Sequence, residues 1–162
     1  MPEVILVITI FIVLVSVSFY RAYITSGVSK LNAESKQDGI DFLALNRFKE
    51  GVKVTESGLQ YTVLHEGTGS IHPRAKDEVK VSYEGRFIDG RIFDSSIKRG
   101  KPAKFGLNKV IKGWTEGLQL MVVGEKVRFF VPAGLGYGNR WTGSIPPGAT
   151  LIFDVELLAI SE

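Results

Sequence analysis

From Leu59 onward, apolar residues recur at every second position in several short runs, which commits those runs to strands with one buried and one wet face. Leu59, Tyr61 and Val63 alternate with polar neighbours, as do Val79, Val81 and Tyr83, then Val127, Phe129 and Val131, then Leu151, Phe153, Val155 and Leu157. Asp89-Gly90 between GRFI and RIFD predicts a two-residue hairpin turn, because glycine takes positive φ at little steric cost. One interruption has helical spacing: Gly113 opens WTEGLQLM, in which Trp114, Leu118 and Met121 fall on one face at i, i+4 and i+7. One short helix across one antiparallel sheet is an α+β arrangement, expected over residues 57–162 with Gly/Pro loops at its rim.

The 162 residues suffice for that domain and an appendage, not for two ordinary domains. The absence of Cys removes disulfides, thiolate nucleophiles and Cys-ligated metal centres together, and leaves His65 and His72 as the sole imidazoles, both expected as surface loop or strand residues. Residues 51–162 hold 15 Lys/Arg against 12 Asp/Glu, interspersed along the chain, so no basic run marks a nucleic-acid partner.

The appendage begins with VILVITIFIVLVSVSFY, residues 4–20, which carries no charge. At ~1.5 Å per residue it makes about 25 Å of helix, at the short end of what crosses a ~30 Å hydrocarbon core. Residues 1–20 therefore read as a single-pass membrane anchor or a cleaved secretory signal. The signal reading lacks a basic start, although Ser16 and Ser18 form a weak small-x-small site. Arg21, Lys30 and Lys36 follow the run, and by the positive-inside rule would hold the C-terminal domain on the cytoplasmic side. Residues 21–56 read as a polar connector with a short helix, capped by Asp41, with Phe42, Leu45 and Phe48 on one face and Gly51 as its stop.

Several catalytic motifs fail on inspection. GLGYG, Gly134 to Gly138, lacks G-x-G-x-x-G spacing and a following helix. GRFIDGR has Walker-spaced glycines, but Arg91 and Ile92 stand where Lys and Ser/Thr are required. Asp94-Ser95-Ser96 has no nucleophile elbow around it. What remains is a set of aromatics on different elements: Tyr83, Phe93, Phe105, Trp114, Tyr137 and Phe153. Aromatics in small domains usually fill the core. Tyr137, however, sits in a Gly-rich loop, Ile145-Pro146-Pro147 makes a stiff apolar tip in the next segment, and Asp94 puts a carboxylate directly after Phe93.

In the stretches VSYEGRFIDGRIFDSS, VIKGWTEGLQLMVVGEKVRFFVPAGLGYG and GSIPPGATLIFDVELL, the chain resembles the FKBP-type peptidyl-prolyl cis-trans isomerases over about residues 57–162. GLQY and WTEGLQLM are similar to bacterial members, including the macrophage infectivity potentiator branch. The resemblance implies a five- or six-stranded antiparallel sheet wrapped around the short helix, with a hydrophobic pocket between them. Tyr83, Phe93, Asp94 and Tyr137 would be the catalytic set, and Phe105, Val110, Ile111, Trp114, Ile145 and Phe153 would bind substrate. Trp114 would be the floor under the proline ring, the Ile111 backbone N–H would hold a substrate carbonyl, the Tyr137 hydroxyl would donate to the bound peptide, and Asp94 would orient Tyr83 or face the substrate carbonyl carbon.

The implied substrates are Pro-containing polypeptides, the implied further ligands are the family's macrolides, and no cofactor is implied. The same analogy pulls the domain toward the outer side of a bacterial inner membrane, against the charge rule. Two departures alter the pocket wall: Ala103 stands where many members place a Phe, and residues 139–144, with Trp141 among them, form a shortened loop.

Such a site needs no nucleophile or metal. Rotating a peptide bond costs ~18 to 20 kcal/mol because amide resonance is lost, while the two X-Pro isomers differ by only ~0.5 to 1 kcal/mol. The twisted amide carries less charge separation than the planar one, so a water-poor apolar cavity favours it relative to the ground state. The alternative use of the same pocket is non-catalytic, as a chaperone or scaffold module that holds Pro-containing segments.

Overall fold

The computed structural model describes the backbone of residues 2–161 and the side chains of residues 14, 16–27 and 35–161. The chain divides into two compact units, Met1–Glu34 and Ser35–Glu162. One helix, α1 (Pro2–Asn46), runs through the first unit and ends in the second. Most of the proposed anchor, residues 1–13 and 15, lies outside the described side chains. Among the described residues, no helix is long and apolar enough to cross a membrane.

The short capped helix expected around Asp41 is instead the end of α1. Residues 21–46 contain no proline, and Gly27 and Gly39 cost about 1 kcal/mol each without breaking the hydrogen-bond ladder. Asp41 is therefore an interior residue, and its carboxylate accepts from Gln37 Nε2 one turn earlier at 2.8 Å. Of the expected apolar face, only Phe42 is partly covered, 5.9 Å from the Phe130 ring; Leu45 and Phe48 are exposed. Phe48 lies beyond the helix end, and Gly51, at φ +75°, completes the turn out of it.

The second unit contains β1 (Lys53–Val54), β2 (Gln60–His65), β3 (Glu78–Phe87), β4 (Ile92–Ser95), β5 (Ala103–Gly106), α2 (Lys112–Leu118), β6 (Lys126–Val131) and β7 (Leu151–Ser161). The sheet is antiparallel with order β1-β2-β6-β7-β3-β4, and β5 also pairs with β3. Seven strands stand where five or six were expected, because two-residue β1 and four-residue β5 are too short to show an alternating pattern. The Asp89-Gly90 turn is one residue longer than predicted. Phe87 N donates to Arg91 O across a three-residue loop, with Gly90 at φ +89° and Arg91 N donating to Asp89 Oδ1 at 3.0 Å.

Alternation gives the sheet two faces. Val79, Val81, Val127, Phe129, Val131, Leu151, Val155 and Leu157 are buried on the inner one, with Trp114, Leu118 and Met121 against them as the helical spacing predicts. Gly113 and Gly117 explain the close approach of α2. A Cβ on Gly113 would meet Val131 at 2.7 Å, and one on Gly117 would meet the Phe129 ring at 2.5 Å.

Outward-facing Gln60 and Phe130 pair across β2 and β6, and the end of α1 packs on them. Asn46 Nδ2 donates to Gln60 Oε1 at 2.9 Å, and Gln60 Nε2 donates to Leu43 O at 2.9 Å. These two buried amides satisfy each other and the helix end together.

Candidate functional site

A cavity of about 390 Å³ opens between α2 and the inner face of the sheet. Trp114 is its floor. This residue is 4% exposed, and three rings stand edge-on to the indole: Tyr83 at 5.1 Å, Phe153 at 5.4 Å and Phe105 at 5.6 Å between centroids. Such perpendicular pairs are favoured by the ring quadrupoles, and they lock the indole orientation. Phe93 continues the wall, perpendicular to Phe153 at 5.5 Å and 5.0 Å from Phe87. Phe93 and Phe153 lie against Gly85 on β3, where a Cβ would come within 2.7 Å of one ring and 2.8 Å of the other. Indole Nε1 is buried and has no hydrogen-bond partner among the described residues, which leaves a donor at the floor without an acceptor there.

Val110 and Ile111 form the next wall, in the extended segment that leads into α2. Thr115 Oγ1 on α2 donates to Leu107 O at 2.6 Å and Leu107 N donates to Asp77 O at 3.0 Å, while Trp114 N and Thr115 N donate to Ile111 O at 2.9 and 3.0 Å, so this segment is pinned at both ends. Tyr137 closes the cavity from the loop after β6. Gly138 N donates to Ala133 O and Gly148 N to Gly138 O, both at 2.8 Å, which ties the base of that loop. Burial, and then the Asp94 charge, raise the Tyr137 hydroxyl above its ordinary value, so it stays a protonated donor.

Asp94 is the carboxylate of the cavity wall. Its Oδ2 accepts from the Tyr83 hydroxyl and its Oδ1 from Arg99, while Arg99 Nη2 also donates to Tyr83 Oη at 3.0 Å. Burial would push the Asp94 carboxyl up, but the hydrogen bonds from Tyr83 and Arg99 and the guanidinium charge outweigh it and hold the group below its ordinary value. Burial, followed by the bond to Asp94, pushes Tyr83 up. The triangle is thus a carboxylate, a neutral phenol and a guanidinium.

Nine of the ten residues selected from the sequence meet at this cavity: Tyr83, Phe93, Asp94, Phe105, Val110, Ile111, Trp114, Tyr137 and Phe153. Ile145 does not line it. Reciprocal backbone bonds between Thr142 and Ile145 fold the loop tip back, and Ile145 is buried in the core at 6% exposure. Two participants were missed. Arg99 follows Asp94 by five residues, a separation that only the turn ending at Gly100, φ +71°, brings together. Lys109 lines the cavity beside Val110, and its signal was a cation directly before the VI of VIKGW. His65 and His72 are exposed as expected, with His72 Nδ1 donating to Met121 O at 3.0 Å.

Residues 69–158 match the family model described as FKBP-type peptidyl-prolyl cis-trans isomerase, and residues 17–63 match one described as the domain amino terminal to that isomerase. The chain is 58% identical over 129 residues to the FKBP-type peptidyl-prolyl cis-trans isomerase FkpA of Aeromonas hydrophila, covering 80% of this chain and 48% of that one. It is 47% identical over 135 residues to the outer membrane protein MIP of Legionella longbeachae, covering 83% of this chain and 58% of that one. The crystal structure of a peptidyl-prolyl cis-trans isomerase from Pseudomonas syringae pv. tomato superposes with a TM-score of 0.74 at 39% identity, covering 80% of this chain and 96% of that one. The chain spans about half the length of the curated relatives it matches.

Proposed function

Since the chain belongs to the FKBP-type peptidyl-prolyl cis-trans isomerases, we propose that it catalyses rotation about Xaa-Pro bonds in polypeptides, with the cavity over Trp114 as its active site. The observation that carries this reading is the indole floor walled by three perpendicular rings in a cavity of about 390 Å³. That volume suits a proline and its flanking amide, at the small end of ordinary ligand pockets. Apolar walls strip water from the amide, which disfavours its planar, charge-separated form relative to the twisted one.

In this reading Trp114 carries the pyrrolidine ring, and Phe93, Phe105, Val110 and Phe153 enclose it. The Ile111 N–H and the Tyr137 hydroxyl fix the peptide's carbonyls, so that binding energy orients the bond that turns. Asp94 and Arg99 hold the Tyr83 phenol at the wall without exchanging a proton. A thousandfold acceleration requires about 4 kcal/mol in all, well within what desolvation and two hydrogen bonds supply. The family's macrolides would compete for the same floor; Ala103 packs against the core and is not among the residues that line the cavity.

Residues 4–20 are proposed as a single-pass tether, on the strength of seventeen consecutive residues without a charge. Carbonate extraction reads the tether, and release into the supernatant removes it. Protease accessibility in intact cells reads the side on which the domain lies.

The activity is tested by two-dimensional exchange NMR on a Leu-Pro tetrapeptide with the full chain in neutral detergent. Cis-trans exchange is expected to accelerate in proportion to protein concentration, and Trp114→Ala to abolish the acceleration. Peptide binding without acceleration moves the chain to the non-catalytic holding role.

A further inference from the structure

The stretches that build the cavity are rich in cations, and one of these, Lys109, lines it. Residues 95–115 contain Lys98, Arg99, Lys101, Lys104, Lys109 and Lys112 and no acid, and residues 132–153 contain Arg140 and no acid. These two stretches supply the turn after Asp94, the segment before α2 and the loop that carries Tyr137, all of which contribute to the cavity or to its Tyr83–Asp94–Arg99 triangle.

Some of this charge is answered locally. Arg99 is paired with Asp94, Lys104 with Glu78 at 3.2 Å, and Lys112 shares a groove with Glu116. Lys98, Lys101, Lys109 and Arg140 are exposed and have no ion-pair partner among the described residues. Lys109 belongs to the cavity lining itself.

We propose that this unpaired cationic collar, centred on Lys109, selects proline-containing segments that carry Asp or Glu next to the Xaa-Pro bond. The inference rests on the isomerase reading and adds to it a substrate class. An extended peptide advances about 3.3 Å per residue, so with proline over Trp114 the side chains within two or three residues of it leave the cavity at the collar. A carboxylate there meets a net positive charge, because Asp94, the one acid of the lining, is offset by Arg99, whereas Lys109 has no ion-pair partner among the described residues. Exposed pairs are individually weak, so the collar biases selection and association rather than anchoring the peptide.

The test compares Leu-Pro peptides flanked by Glu, Gln or Lys, by exchange NMR on the full chain in neutral detergent at low salt and at 1 M salt. Expected is a kcat/KM about fivefold higher for the Glu than for the Lys peptide at low salt. The gap should narrow below about twofold at 1 M, where the screening length is ~3 Å. Lys109→Glu should abolish or reverse the preference, and Lys109→Gln should reduce it. Equal rates at low salt, or a preference that persists through both salt and Lys109→Glu, overturn the proposal. So does displacement of the peptides by a single-stranded oligonucleotide when Glu and Lys flanks bind alike. If no peptide is accelerated, the isomerase reading alone fails, and the charge preference is then decided by titrating the same peptides for binding.

Discussion

Two carboxylates on the same sheet have guanidinium partners, and they differ in how completely they are enclosed. Asp154 on β7 faces outward, its side chain 11% exposed. It accepts from Arg128 Nε at 2.6 Å, Arg128 Nη2 at 2.8 Å and Arg86 Nη2 at 2.6 Å. Its partners sit on β6 and β3, the two strands that flank it. Asp94, at the cavity, has a side chain 41% exposed, and its guanidinium comes from a turn. Both carboxyls are held below their ordinary value although burial pushes each up. Enclosure converts the same chemistry into a clamp across three strands in one place and an adjustable wall in the other, since a pair loses value as solvent screens it.

The widest separation between the two comes from removing charge. Asp154→Asn leaves Arg128 without its counter-ion and Arg86 with only Glu84, at 3.6 Å, and it should destabilise the protein by about 3 kcal/mol, the low end for a broken buried pair because both arginines keep some solvent. Urea unfolding of the full chain measures it, with turnover per folded molecule within twofold of the parent. A loss below about 1 kcal/mol would erase the distinction between clamp and wall.

Asp94→Asn should do the converse. We expect about a tenfold loss of kcat/KM, ~1.4 kcal/mol of transition-state stabilisation, with stability changed by less than about 1 kcal/mol. Exchange NMR and thermal melts on one sample separate the two effects.

The smallest effect is in acid. Carboxyls with lowered folded values contribute stability that is complete above the unfolded value of ~3.9 and is lost as pH falls through the folded value. Stability should therefore be insensitive to these two groups from pH 7 to about 5 and decline below about 4. Asp154→Asn should flatten that acid slope more than Asp94→Asn does. Equal flattening by the two variants would mean that exposure does not separate them.

What was readable in the sequence divides along similar lines. The inner strands and the buried face of α2 followed from apolar spacing, and the aromatic cavity followed because each ring sits on an element with a clear period or a recognisable motif. Arg99 and Lys109 carry no period. One reaches Asp94 through a turn, and the other matters through what surrounds it. Ile145 fits the motif, yet two backbone bonds to Thr142 turn it into the core. The continuity of α1 is hidden in the sequence because SKLNAESKQDG is polar. Polarity marks a solvent-facing helix as readily as a loop, and the face that decides the matter is narrow: Lys36 and Gly39 lie against Gly148 and Thr150, and Phe42, Leu43 and Asn46 meet Phe130 and Gln60.

Gly85 has a consequence for how this chain would discriminate among ligands. Because Phe93 and Phe153 lean on bare main chain there, the backing of both rings is β3 itself, which is hydrogen-bonded to β7 on one side and β4 on the other. Main chain held on both edges has no alternative rotamer to adopt. The two rings are then backed as stiffly as the sheet, and a bulky guest must match them in outline, because this part of the wall will not yield to make room.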